Sequence, residues 1–174
     1  NGSAKDHLMS VVLGLPLLAI GVLAARASLP DLSAGGIYMA FLAALALWAW
    51  IELAFLSGVI TGPNRMPCPP YLAKRERFWR AVGTIAWHEA TLIGTLAVLG
   101  LVTLTAANPF AFGTFALLFV ARISAKLNLF LGVPRINIQF LPRPLAHLAS
   151  YFRIGRITAF FPISVSALTV FSAL

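Results

Sequence analysis

Apolar runs of about twenty residues recur along this 174-residue chain and leave it little choice of fold. At about 1.5 Å of rise per residue, each run is a helix long enough to cross the ~30 Å hydrocarbon core of a bilayer. Lipid offers backbone groups no hydrogen-bond partner, so such runs must be helical. Hydrophobic residues make up 60% of the chain and its mean hydropathy is +0.90. Asp, Glu, Lys and Arg make up 10%, against ~25% in soluble domains. A soluble fold could not hide that much apolar surface. The chain reads as a single all-α, polytopic membrane domain over residues 1–174.

Five spans are expected, at about 8–29, 34–60, 81–106, 109–132 and 158–174. Pro16 is the expected kink in the first, and Pro30-Asp31 ends it. Asn108-Pro109 should form a tight hairpin, with Asn108 as helix cap and Pro109 in the first helical position. Gly132 can close the fourth span. Leu145, Leu148 and Phe152 predict a short interfacial helix from Pro144 onward. The last apolar run stops at Leu174 before completing a crossing, and the chain does not begin with Met, so a longer parent protein is expected. The first run is too long, and followed by the wrong residues, to be a cleaved signal peptide.

The net charge of +8 would raise nucleic acid as a partner for a soluble protein. Here the basic residues lie between spans instead. Residues 61–80 carry Arg65, Lys74, Arg75, Arg77 and Arg80; residues 133–157 carry Arg135, Arg143, Arg153 and Arg156. By the positive-inside rule both loops, and with them the N-terminus, are cytoplasmic. They form a basic surface for lipid headgroups and partner proteins, with no nucleic-acid role. Cys68, the one cysteine, excludes an internal disulfide; it and His147 read as unremarkable loop residues.

Glu52, His88, Glu89, Arg122 and Lys126 lie within the spans. An ionisable group there costs about 3 kcal/mol or more at the helix centre, so each marks a functional site by default. Counting from the cytoplasmic ends at 1.5 Å per residue puts Glu52 at about 12 Å, His88 and Glu89 at about 11–12 Å, Arg122 at about 14 Å and Lys126 at about 8 Å. The set forms one layer, neutral overall when His88 is neutral.

Four readings fit this layer. A structural ion-pair network could join the spans. His88 could ligate the magnesium of a tetrapyrrole, with Trp48, Trp50 and Trp87 packed on the ring. Glu52, His88 and Glu89 could hold a catalytic metal ion, or the layer could carry protons or ions. The metal reading lacks the Glu-x-x-His spacing of di-iron bundles, and HEATLIG at 88–94 is not His-Glu-x-x-His. No phosphate-binding Gly loop, nucleophile elbow or Ser-His-Asp arrangement is present.

FLSGVITGPNRMPCPP at 55–70, WHE at 87–89, SAKLNLFLGV at 124–133, FLPRPLAHLASYF at 140–152 and FPISV at 161–165 occur in this order. Over roughly residues 35–170 the chain thereby resembles the photosynthetic complex assembly protein 2 family (PuhE) of purple phototrophic bacteria. Members extend further at the N-terminus with additional spans, and carry an acid where this chain has Gln139. The resemblance implies an inner, or intracytoplasmic, membrane factor. Such a factor would assist assembly of the reaction centre and core antenna, or bacteriochlorophyll supply, with photosynthetic subunits or pigment-synthesis proteins as partners. It implies no catalytic residue. Bacteriochlorophyll or a precursor is the implied ligand, ahead of a metal ion, and a subunit of a bacteriochlorophyll-synthesis enzyme is the alternative. The family runs add Asn128, a polar residue within a helix, to the intramembrane set.

Overall fold

A computed structural model describes residues 4–173, which are mostly helical with no strand among them. The helices are α1 (Ala4–Leu13), α2 (Leu15–Ser28), α3 (Ala34–Leu56), α4 (Lys74–Thr103), α5 (Phe110–Leu131) and α6 (Phe160–Ala173). Four stretches are long and apolar enough to cross a membrane: Lys5–Ser28, Ala34–Leu56, Lys74–Thr103 and Phe110–Leu131. The fifth apolar helix, α6, is shorter at 14 residues. A polytopic helical membrane protein is the architecture these lengths support.

The boundaries differ from expectation in four places. The first span is interrupted at Gly14, not at Pro16, because Pro16 sits in the first turn of α2, where its missing N–H costs nothing. The second ends at Leu56 rather than near residue 60; Gly58 takes φ 76°, and the Val59 and Ile60 amides both turn back to the Ala54 carbonyl. The third begins at Lys74, so the basic residues 74–80 are helical; 30 residues span about 45 Å, more than the hydrocarbon core needs. The expected interfacial helix is a 3-10 helix, Arg143–Tyr151. With three residues per turn, its inward face is Leu145, Leu148 and Tyr151, buried within the protein, and Phe152 falls outside it.

The chain divides into two compact units. The first comprises residues 1–61 and 86–116. Its core is a stripe of α3 residues, Ala40, Ala43, Ala44, Leu47, Ile51, Ala54 and Phe55, joined by Leu92 and Leu99 of α4 and Phe115 of α5. The alanines let helices approach closely, as lipid-embedded packing requires. Gly21 of α2 serves the same purpose: a Cβ there would stand 3.1 Å from the Leu47 amide nitrogen. Trp50 Nε1 donates to the Val11 carbonyl at 3.2 Å, holding α3 to α1.

Two turns of this unit are bound together. Ser33 caps α3 by accepting from Gly36 N–H, and its own N–H donates to Asp31 Oδ1 at 2.8 Å. Asn108 caps α5 as expected, accepting from Phe110 N–H at 3.0 Å. It is also fully enclosed, its Nδ2 donating to the Asp31 carbonyl at 2.7 Å and its N–H to the Leu29 carbonyl at 2.9 Å.

The second unit comprises residues 62–85 and 117–174. It holds eleven of the 13 Lys and Arg residues and one acid, Glu76, whereas the first unit holds two bases and four acids. Its loops are tied by side chains. Asn64 Nδ2 donates to the Arg80 carbonyl and to Tyr151 Oη, each at 3.0 Å, and Tyr151 Oη donates to the Met66 carbonyl. Val133 N–H donates to the Arg153 carbonyl and Gly155 N–H to the Val133 carbonyl, fixing the end of α5 to residues 153–155.

Candidate functional site

The charged residues of the spans separate by unit. Glu52 of α3 and His88 and Glu89 of α4 lie in the first, and Arg122, Lys126 and Asn128 of α5 in the second.

His88 is the centre of the first group and has no exposed surface. Its Nε2 lies 3.5 Å from Glu52 Oε1 and its Nδ1 3.3 Å from Glu89 Oε1. The Phe55 ring packs on the imidazole, centroids 4.2 Å apart and planes inclined at 38°. Only the Nδ1–Glu89 contact has hydrogen-bond geometry; Nε2 and Glu52 face each other as a longer polar contact. Both glutamates remain slightly exposed, 14% by side chain.

Local backbone sets the position of His88. The Trp87 and His88 N–H groups both donate outside their helix to the Thr61 carbonyl, at 2.9 and 3.1 Å. Residues 87 and 88 are thus pinned to the chain leaving α3, the helix that carries Glu52 and Phe55. Nothing in the residue types of 58–61 signals this bond; it depends on the turn after Leu56.

An axial ligand for a tetrapyrrole magnesium, or for any metal ion, needs an imidazole nitrogen open to the ion. Here each nitrogen is directed at a carboxylate. Among the described residues no three His, Cys, Asp or Glu side chains are grouped so as to hold a metal ion. Trp48 makes an edge-to-face contact with Phe115, centroids 5.2 Å apart, and so packs within the unit. Trp87 is exposed on the helix surface.

In the second unit Arg122 and Lys126 are partly buried on α5, and Asn128 is buried, its Nδ2 donating to Ser164 Oγ at 3.1 Å. Of the nine loop bases, eight are exposed. Arg77 is not simply surface. Its guanidinium lies over the Phe130 ring at 4.3 Å and donates to the Tyr151 carbonyl at 2.5 Å and the Phe130 carbonyl at 3.3 Å. His147 is also more than a surface group: it is partly buried, and burial, with the Arg65 charge second, pushes its pKa below the usual histidine value.

Comparisons with known proteins bear on the whole chain. A model of a family described as "Protein of unknown function (DUF3623)" matches residues 1–174. The chain is 56% identical over 163 residues to a Rhodobacter capsulatus protein named "Uncharacterized 30.4 kDa protein in puhA 5'region". That match covers 94% of this chain and 60% of the relative, so the chain spans about three fifths of the relative's length. No solved structure matches.

Proposed function

This chain belongs to the DUF3623 family, and from that premise we propose that it is an integral factor of the bacterial inner, or intracytoplasmic, membrane that assists assembly of the photosynthetic reaction centre and core antenna or modulates bacteriochlorophyll supply to them. The observation that carries the proposal is the R. capsulatus relative, whose name places it in the puhA 5' region, a location that fits a photosynthesis gene cluster. The ordered family runs between residues 55 and 165 point the same way. Four membrane-length helices supply the setting. The basic loops 61–80 and 133–157 then face the cytoplasm together with the N-terminus, available to partner proteins and anionic headgroups.

Within this proposal the Glu52–His88–Glu89 group joins α3 to α4 and does not catalyse. Polar pairing holds helices in lipid where apolar contact alone gives little preference. The enzyme-subunit alternative in bacteriochlorophyll synthesis would need a group able to bind metal or substrate, and the direction of both imidazole nitrogens disfavours His88 as its ligand.

Deleting the gene in a phototroph that carries it should lower the absorbance of reaction centre and core antenna per cell. The tagged full-length protein should co-purify with subunits of these complexes or with pigment. Normal complex levels in the deletion strain, together with a colourless, partnerless preparation, would overturn the proposal.

A further inference from the structure

Within the second unit a groove of about 590 Å³ runs between α5 and α6. That volume is in the usual 300–1,000 Å³ range of small-molecule sites. Ala121 and Ala125, small and one turn apart, open it on the α5 side, and Phe161 and Leu168 wall it on α6. A groove of this kind on membrane helices fills with lipid chains whatever the headgroup. Its end is what distinguishes it.

Exposed Arg135, four residues beyond the end of α5 at Leu131, lines the same groove, and no acid does. The unit around it has eleven bases to one acid. A guanidinium recognises phosphate through paired hydrogen bonds. Asn128 lines the groove about 4.5 Å inside the helix end, with Leu129, Val133 and Pro134 following it along the chain before Arg135. Ser164 Oγ gives its proton to the Phe161 carbonyl, so it can only accept from Asn128, which fixes the amide with Nδ2 on Ser164. Among the described residues Asn128 Oδ1 has no hydrogen-bond partner. The groove thus combines apolar walls with one buried amide and one exposed guanidinium. The acyl chain, ester and phosphate of a phospholipid call on the same three kinds of group.

We propose that this groove is a binding site for one anionic phospholipid, with an acyl chain between α5 and α6 and the phosphate on Arg135. Basic pockets between membrane helices are suited to anionic headgroups. The site does not depend on a role in photosynthetic assembly.

The test uses the full protein in neutral detergent, mixed with equal amounts of phosphatidylglycerol and phosphatidylcholine and examined by native mass spectrometry. One phosphatidylglycerol should be retained in clear preference. Arg135→Gln should reduce that preference about fivefold, the weight of one basic residue beside anionic lipid. Arg143→Gln, an exposed arginine outside the groove, should leave it unchanged. Both arginines are exposed, so neither change threatens folding. A benzophenone amino acid at position 125, activated in native membranes, should label phospholipid. Equal retention of the two lipids, equal behaviour of the two variants, or labelling of another polypeptide's helix would each overturn the proposal.

Discussion

His88 Nε2 and Glu52 Oε1 face each other at 3.5 Å across two helices that meet only through the fold. The histidine has no exposed surface, and its other nitrogen faces Glu89 at 3.3 Å. Replacing His88 by Ala removes the imidazole that lies against both carboxylates. Truncating a large, fully buried side chain to Ala costs about 2–5 kcal/mol. His88→Ala should therefore lower the thermal unfolding midpoint in detergent by many degrees. If the group only joins helices, pigment and complex levels in cells stay normal once variant and wild type are compared at equal abundance.

Asn108 joins two turns that are 77 residues apart in sequence. Its side chain caps α5 and also donates to the Asp31 carbonyl. Losing a cap costs about 1 kcal/mol and losing a further buried hydrogen bond a similar amount. Asn108→Ala should destabilise the first unit by about 2 kcal/mol. Asn108→Asp, which keeps the cap but not the donor, should fall between. Unfolding by denaturant in mixed micelles measures both.

The turn before α3 should be sensitive to Ser33 and Gly36. A Cβ on Gly36 would collide with the Asp31 carbonyl oxygen, so Gly36→Ala should distort the turn. Hydrogen bonds from the Ser33 side chain and N–H hold the Asp31 carboxyl below its ordinary value of 3.8. A depressed carboxylate stabilises the fold above that ordinary value, and its contribution disappears as pH falls through the lowered one. Ser33→Ala should move the Asp31 titration upward, as carboxylate infrared or NMR signals would report.

His147 titrates in the opposite chemical sense but with the same sign in stability. Burial, and secondarily the Arg65 charge, disfavour its protonated form in the fold. Its contribution is complete above the unfolded value of 6.5 and falls as pH drops from there through the lowered folded pKa. Arg65→Gln should shift the His147 titration partway back toward 6.5, since burial remains. An unchanged imidazole NMR titration in that variant would remove Arg65 from the account.

Arg77 is held on the Phe130 ring and on two carbonyls. Hydrogen bonds to a charged donor are worth about 1.5–3 kcal/mol each when buried, and less where solvent reaches them, as here. Arg77→Lys keeps the charge and loses the planar fork. Limited proteolysis should show faster cleavage in residues 62–73 and 143–157, while Arg75→Lys, which is exposed, should behave as wild type.

Much of the architecture was already present in the chain. Runs of apolar residues commit the backbone to helix because lipid satisfies no N–H or C=O, and Pro30-Asp31 and Asn108-Pro109 mark turns through local chemistry alone. The candidate residues Glu52, His88 and Glu89 stood out for the same reason: charge is costly in a span. Tertiary structure decided which of them meet. Glu52 reaches His88 because the Thr61 carbonyl draws in the Trp87 and His88 amides, a long-range bond that side-chain pattern cannot encode. It also turned Arg77 from a surface charge into a clasp on Tyr151 and Phe130. The 143–151 segment became an inward-facing 3-10 helix, because Leu145, Leu148 and Tyr151 repeat every three residues and found a surface within the protein to bury them. Local chemistry and hydropathy are properties of the chain. Contact between residues far apart in it is a property of the packed fold.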